Sequence, residues 1–233
     1  MNNVKAVIFD FNGVLWWDTH LHAKAWKDFS KQIRGTELSD EEISDSLGRT
    51  NKSILEYLLG REISSDELLE YTEGKESAYR QLCIDLNDDF KLSPGASELL
   101  DYLKNENIPI TIATGSEINN LKFFWDNLGL SKWFNFDTIA FDDGTMKGKP
   151  NPDIYLKAAN NLGSEPQDCM VVEDAVSGIR AAFNAGIGVI VAIGPKNKHE
   201  LLKNIDGVNL VISDFYDLMQ LFKTSKFVHK GLP

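Results

Sequence analysis

The 233-residue sequence predicts an α/β fold, a doubly wound and mostly parallel sheet with a small α-helical domain inserted into it. Three observations lead there. The chain opens on a short apolar run, Val4 to Phe9, that ends on a carboxylate, Asp10. After residue 91, apolar strand-like runs alternate with helical stretches at the rhythm of βαβ units. Between residues 18 and 90 no convincing strand occurs, only helical periodicity.

Taken in order, Val4–Phe9 is β-branched and aromatic and is interrupted only by Lys5, as expected of a buried parallel strand. A helix is predicted from Thr19 to Ile33, with Leu21, Ala25, Trp26 and Phe29 at spacings of three and four. Ser39–Leu47 and Asn51–Leu59 read as two further helices, the first opened by a capping box, Ser39 with Glu42. A long helix runs from Ser65 to about Leu86. Ser93-Pro94-Gly95 then opens a helix through Lys104, and Ile108–Ala113 is a buried strand. The remainder reads as helix 117–128, strand 136–141, helix 152–162, strand 169–172, helix 175–185, strands 189–193 and 210–212, and helix 215–222. The expected domains are residues 1–17 with 91–233, and an inserted helical domain at 18–90. The tail from Lys223 to Pro233 is expected to fray.

Hydrophobic residues make up 42% and charged residues 25%, the balance of an ordinary soluble globular protein. A formal net charge of −11 argues against a nucleic-acid or anionic-membrane partner, since no basic surplus exists to displace counterions. No signal segment and no spanning apolar run is visible, so a cytoplasmic location is expected. The two cysteines, Cys83 and Cys169, suggest no disulfide framework, and Cys169 reads as core.

Chemistry-bearing residues sit at the ends of the predicted strands. A carboxylate just past a buried strand is costly unless paired, metal-bound or functional, which singles out Asp10; the plainer reading is a turn Asp. Thr114-Gly115-Ser116 combines a hydroxyl with free N–H groups at a helix start, an anion site or simply an N-cap by Ser116. Lys149, fixed between Gly148 and Pro150, places an ammonium where a phosphate could meet it, or else is a solvated loop lysine. Glu173 and Asp174 follow an apolar strand and repel each other unless they share a cation; the alternative is Asp174 as a helix cap. In open α/β sheets the ligand crevice lies at these carboxyl ends, so four such ends in one domain carry more weight than any one.

These residues, as Asp10-Phe11-Asn12-Gly13-Val14, Thr114-Gly115-Ser116, Lys149-Pro150 with Pro152-Asp153-Ile154-Tyr155, and Val172 through Ala182, resemble the haloacid dehalogenase superfamily, in its branch with a small helical cap. The resemblance covers nearly the whole chain. It implies Asp10 as the nucleophile that forms an aspartyl-phosphate. It implies Mg²⁺ held by Asp10, the main-chain carbonyl of Asn12, and Asp174, with Glu173 as ligand or water-holder. Thr114 and the N–H of Gly115 would hold phosphoryl oxygens, with Lys149 as a charge neutraliser. The substrate would be a small phosphorylated metabolite, sugar-phosphate-like, and a monomer is expected.

One position departs from the family pattern. Asn12 stands where such phosphatases and mutases carry a second Asp that protonates the leaving oxygen. An amide exchanges no proton near neutral pH, and general acid–base help is worth about 10²–10⁴-fold. His22, ten residues on, is a substitute candidate because imidazole titrates in the useful range; the plainer reading is an exposed helix histidine. In the inserted domain Gly48-Arg49-Thr50-Asn51-Lys52 resembles the family's specificity loop, which makes Arg49 and Lys52 candidate substrate contacts, with Lys75 a third; each is otherwise a solvated charge. Three activities follow: a Mg²⁺-dependent phosphatase, a β-phosphoglucomutase-like mutase, or a phosphate-ligand binder weakened by Asn12.

Overall fold

The computed structural model describes residues 4–46 and 50–224. The chain divides into two compact units, Met1–Trp17 with Leu92–Pro233, and Asp18–Lys91. Arg49, Gly48 and the tail beyond Thr224 lie outside the described residues.

In chain order the first strand, β1 (Ala6–Phe9), is followed by four helices, α1 (Thr19–Arg34), α2 (Asp40–Ser46), α3 (Asn51–Leu59) and α4 (Ser65–Ile84). Then come α5 (Ala96–Asn105), β2 (Ile110–Glu117), α6 (Ile118–Asn127), β3 (Ala140–Asp142) and α7 (Asp153–Asn161). The chain closes with β4 (Cys169–Glu173), α8 (Val176–Asn184), β5 (Val189–Ile193), α9 (His199–Lys203), β6 (Val208–Ile212) and α10 (Phe215–Lys223).

The first unit is built on a six-stranded sheet of order β3-β2-β1-β4-β5-β6, with every neighbouring pair parallel. Central β1 is buried on both faces, which is why it is apolar throughout rather than alternating. Successive side chains still go to opposite faces. Ile8 joins Tyr155, Ala158, Ile179 and Ala182 in the core beneath α7 and α8, while Phe9 meets Phe215 of α10 edge-on at 5.8 Å. The register sets Ile8 beside Thr111 on one side and Val171 on the other. Strand order reverses between β1 and β4, and in open α/β sheets it is at the carboxyl ends of such a switch point that ligands bind.

The second unit is entirely helical among its described residues. Its core is Trp26, Phe29, Leu38, Ile54, Leu55, Leu58 and Ile63, with Ile33, Ile43, Leu59, Leu68 and Tyr71 packed around it. The capping box of α2 is present: the Ser39 N–H donates to Glu42 Oε2 at 2.6 Å, and the Glu42 N–H to Ser39 Oγ at 3.2 Å. At α4 the N-cap is Ser64, paired reciprocally with Glu67.

Several boundaries differ from expectation. The stretch 136–141 begins as a 3₁₀ turn at Phe136–Thr138, and only Ala140–Asp142 is strand. The strand expected to end at Ala113 runs on to Glu117, because β3 pairs with Thr114 and Glu117 beyond it. Helix α9, over His199–Lys203, has no counterpart in the sequence reading, being too short for a periodic signal.

Leu55 is fully buried in the helical unit. Truncating it with Leu55→Ala is expected to cost about 2–5 kcal/mol, seen as a lowered midpoint in urea unfolding.

Candidate active site

The site forms at the switch point, where β1 and β4 end side by side. The Asp10 N–H donates to the Val172 carbonyl at 3.0 Å, which fixes the carboxylate at the end of the strand pair. The chain then folds into a tight loop in which the Gly13 N–H donates to the Trp16 carbonyl at 2.7 Å. Gly13 has φ +79, and a Cβ there would overlap the Asp174 carboxylate. Glycine is therefore required twice over, for a left-handed backbone and for the close approach of an acid.

Asp10, Glu173 and Asp174 each offer an oxygen, and these oxygens lie within 4.8 Å of one another. Asp10 and Glu173 are buried. Lys149 stands between them, its Nζ 2.6 Å from Asp10 Oδ1 and 2.5 Å from Glu173 Oε1. The loop that carries it is tied to α8, since Asn184 Nδ2 donates to the Pro150 carbonyl at 3.0 Å. Glu173 also accepts from the Tyr155 hydroxyl at 3.0 Å and from the Ala175 N–H at 2.8 Å. Its carboxylate rests against Gly178, where a Cβ would collide with it.

Burial pushes the Asp10 carboxyl up to about 7; the Lys149 ammonium pulls against that shift and Glu173 adds to it. Burial opposes the charge on Lys149, yet Asp10 and Glu173 together hold its ammonium well above the ordinary lysine value. Burial, with the Glu173 charge second, also raises the Tyr155 phenol.

Three carboxyl groups and one ammonium converge at this site, so it is net negative once the acids ionise. That donor set, all hard oxygens with a cleared approach at Gly13, fits a small dication such as Mg²⁺.

A second line of polar groups runs along the end of β2. The buried Thr114 hydroxyl accepts the Ser116 N–H at 3.0 Å, and Ser116 Oγ donates to Asn12 Oδ1 at 2.7 Å. Ser116 is thus not a helix cap; α6 starts one residue after Glu117, which makes no side-chain cap. Asp174 does not cap α8 either, whose N-cap is Ala175. Gly115 lies exposed between Thr114 and Ser116.

The candidates in the helical unit have their own surroundings. His22 Nε2 is 3.3 Å from the buried Asp18 carboxylate, and its ring stacks on Tyr79 at 3.9 Å. It is therefore no isolated surface histidine. Tyr79 donates a short hydrogen bond to the same Asp18 oxygen. Lys75, expected to be solvated if idle, is 1% exposed: its Nζ is 2.5 Å from Glu76 Oε1 and 4.9 Å from the centre of the Trp26 ring. Asn51 Nδ2 donates to that Glu76 oxygen at 3.1 Å. Lys52 is exposed, 3.7 Å from Glu56.

Sequence reasoning named the acids and the lysine but not what holds them. Tyr155, Ser116 as a partner of Asn12, and the approaches at Gly13 and Gly178 were missed. Tyr155 had a signal: a tyrosine on the buried face of a helix needs a partner for its hydroxyl.

A family model for haloacid dehalogenase-like hydrolases matches residues 4–186. Among similar proteins, β-phosphoglucomutase of Bacillus subtilis is 34% identical over 92% of this chain and 92% of its own. A phosphorylated carbohydrates phosphatase of Thermotoga maritima is 28% identical over 82% of this chain and 85% of its own. Among solved structures, a HAD hydrolase of family IA, variant 3, from Entamoeba histolytica superposes with a TM-score of 0.87 at 44% identity, covering 94% of this chain and 100% of that one.

The raised Asp10 carboxyl has a sign that can be checked. Between the unfolded value of about 3.9 and the folded value of about 7, the native state holds a proton that the unfolded chain has lost. Stability therefore falls as pH rises through that window. In metal-free protein, Asp10→Asn is expected to raise Tm at pH 7.5 by at least ~2 °C, with the gain shrinking towards pH 4; thermal melts across that range in EDTA measure it.

Proposed function

The chain belongs to the haloacid dehalogenase-like hydrolase family, and from that premise we propose that it is a Mg²⁺-dependent phosphatase of a small phosphorylated metabolite. The observation that carries this reading is the convergence of Asp10, Lys149, Glu173 and Asp174 within one crevice at the β1/β4 switch point. Asp10 acts as nucleophile on phosphorus and forms an aspartyl-phosphate. Asp10, Asp174 and the Asn12 carbonyl would hold the ion, with Glu173 beside them as a further oxygen donor. Bound there, Mg²⁺ supplies positive charge that lets a carboxylate and a phosphoryl group approach each other.

The remaining work belongs to the chain. Lys149 offsets the charge of Asp10 and of the arriving phosphoryl oxygens. Thr114 and the Gly115 N–H orient those oxygens. Tyr155 and the Ala175 N–H keep Glu173 turned towards Lys149. The helical unit is the cap that selects the substrate, with Arg49 and Lys52 as its contacts; Lys75 is instead buried against Glu76 and Trp26, and His22 is engaged by Asp18 and Tyr79.

A second reading, a mutase, is favoured by the likeness to β-phosphoglucomutase over nearly the whole chain. It calls for conversion of a hexose 1-phosphate without phosphate release when a bisphosphate primer is supplied.

Phosphate release from a panel of small phosphate compounds tests the phosphatase reading. The expected result is turnover that needs Mg²⁺, disappears with EDTA, and drops at least ~10³-fold in Asp10→Ala. No turnover of any member, with primer-dependent isomerisation instead, would favour the mutase.

A further inference from the structure

We propose that this site acts on phosphate compounds whose leaving group departs as a stable anion, acyl phosphates and phosphoanhydrides, in preference to alkyl phosphate esters. The inference rests on phosphoryl transfer to Asp10 as given above and narrows its substrate class.

The argument follows the proton. When Asp10 attacks phosphorus, the bond from phosphorus to the leaving oxygen breaks and that oxygen takes the electron pair. An alkoxide is too basic to leave unprotonated near neutral pH, so an alkyl ester needs an acid beside the departing oxygen. A carboxylate or a phosphate needs none, since a carboxylic acid such as a free Asp side chain has a pKa of about 3.9.

Among the described residues of the first unit, the polar groups around Asp10 are engaged with one another. The residue two positions after the nucleophile is Asn12, whose amide has no titrating proton. Its Oδ1 is committed to the Ser116 hydroxyl at 2.7 Å, and Ser116 to it. The Lys149 ammonium bridges Asp10 and Glu173 at 2.6 and 2.5 Å. Glu173 is held by Lys149, Tyr155 and the Ala175 N–H, with its carboxylate seated against Gly178. Asp174 lies in the cation-binding group. These groups bind and orient charge, and none is placed as a proton donor.

The second half of the cycle meets the same condition. The aspartyl-phosphate is itself an acyl phosphate. When water attacks its phosphorus, the bond to the Asp10 oxygen breaks, Asp10 departs as carboxylate, and one water proton passes to the phosphate product or to solvent. Both leaving groups are then acidic, and neither step needs a side-chain acid.

The test is kcat/KM for acetyl phosphate, pyrophosphate and glucose 6-phosphate, with Mg²⁺, in the parent protein and in Asn12→Asp. Acetyl phosphate and pyrophosphate are expected to exceed glucose 6-phosphate by at least ~10²-fold in the parent. Asn12→Asp should raise glucose 6-phosphate by ~10²–10⁴-fold while moving acetyl phosphate less than ~10-fold. Comparing the two forms on each compound cancels differences in binding. Glucose 6-phosphate turned over within tenfold of acetyl phosphate by the parent, or an Asn12→Asp gain equal on both, would overturn the inference and leave phosphoryl transfer standing. No hydrolysis of any compound by either form would overturn both.

Discussion

The site depends on one ammonium. Two adjacent parallel strands deliver Asp10 and Glu173 to the same buried spot, and the next residue adds Asp174. Like charges about 4 Å apart cost roughly 4 kcal/mol per pair at an effective dielectric of 20. Lys149, in contact with two of the three, offsets much of that and lets the acids coexist. Its loop is therefore anchored from the side, by Asn184 on Pro150, rather than left to find its place. Removing such a bridge leaves buried charge uncompensated, which costs about 3–5 kcal/mol.

Topology explains why these particular residues meet. In the order β3-β2-β1-β4-β5-β6 the chain winds outward in both directions from the β1/β4 seam. In open α/β sheets the carboxyl end of such a seam is where side chains from neighbouring strands converge, here those at the ends of β1 and β4 and along the last residues of β2. Sequence-distant groups become neighbours by register alone: Phe9 lies beside Val172 and Ile112, so the residues one or two further on face the same space.

Much of this was legible in the chain. Buried parallel strands are short and continuously apolar, so β1, β4 and β5 announce themselves, and a polar residue at the end of such a run stands out. The helical insert was readable because Leu21, Ala25, Trp26 and Phe29 recur at helical spacing and no strand-like run interrupts residues 18–90. What escaped was whatever depends on partners far away in sequence. Extension of β2 through Thr114 requires β3 beside it. The role of Ser116 requires Asn12, more than a hundred residues earlier. Burial of Lys75 reverses the usual expectation for a lysine on a helix, because Glu76 and the Trp26 face replace its hydration. Position 12 was visible as an amide, and so was the proton-transfer handicap it implies; the sequence did not show that its side chain is engaged by Ser116.

The way the helical unit joins the chain carries a wider meaning. The polypeptide leaves the first unit after Trp17 and returns at Leu92. One residue past the return, Ser93 sends its hydroxyl to the Val14 carbonyl at 2.7 Å and its N–H to the Leu15 carbonyl at 2.9 Å. Exit and re-entry are thus stitched together inside the sheet-bearing unit, whatever lies between them. Because the entropy of closing a loop grows only slowly with its length, inserts of very different size can be spliced across this gap at similar cost. The stitched ends make a socket, and a lineage can exchange the plug without re-registering a single strand.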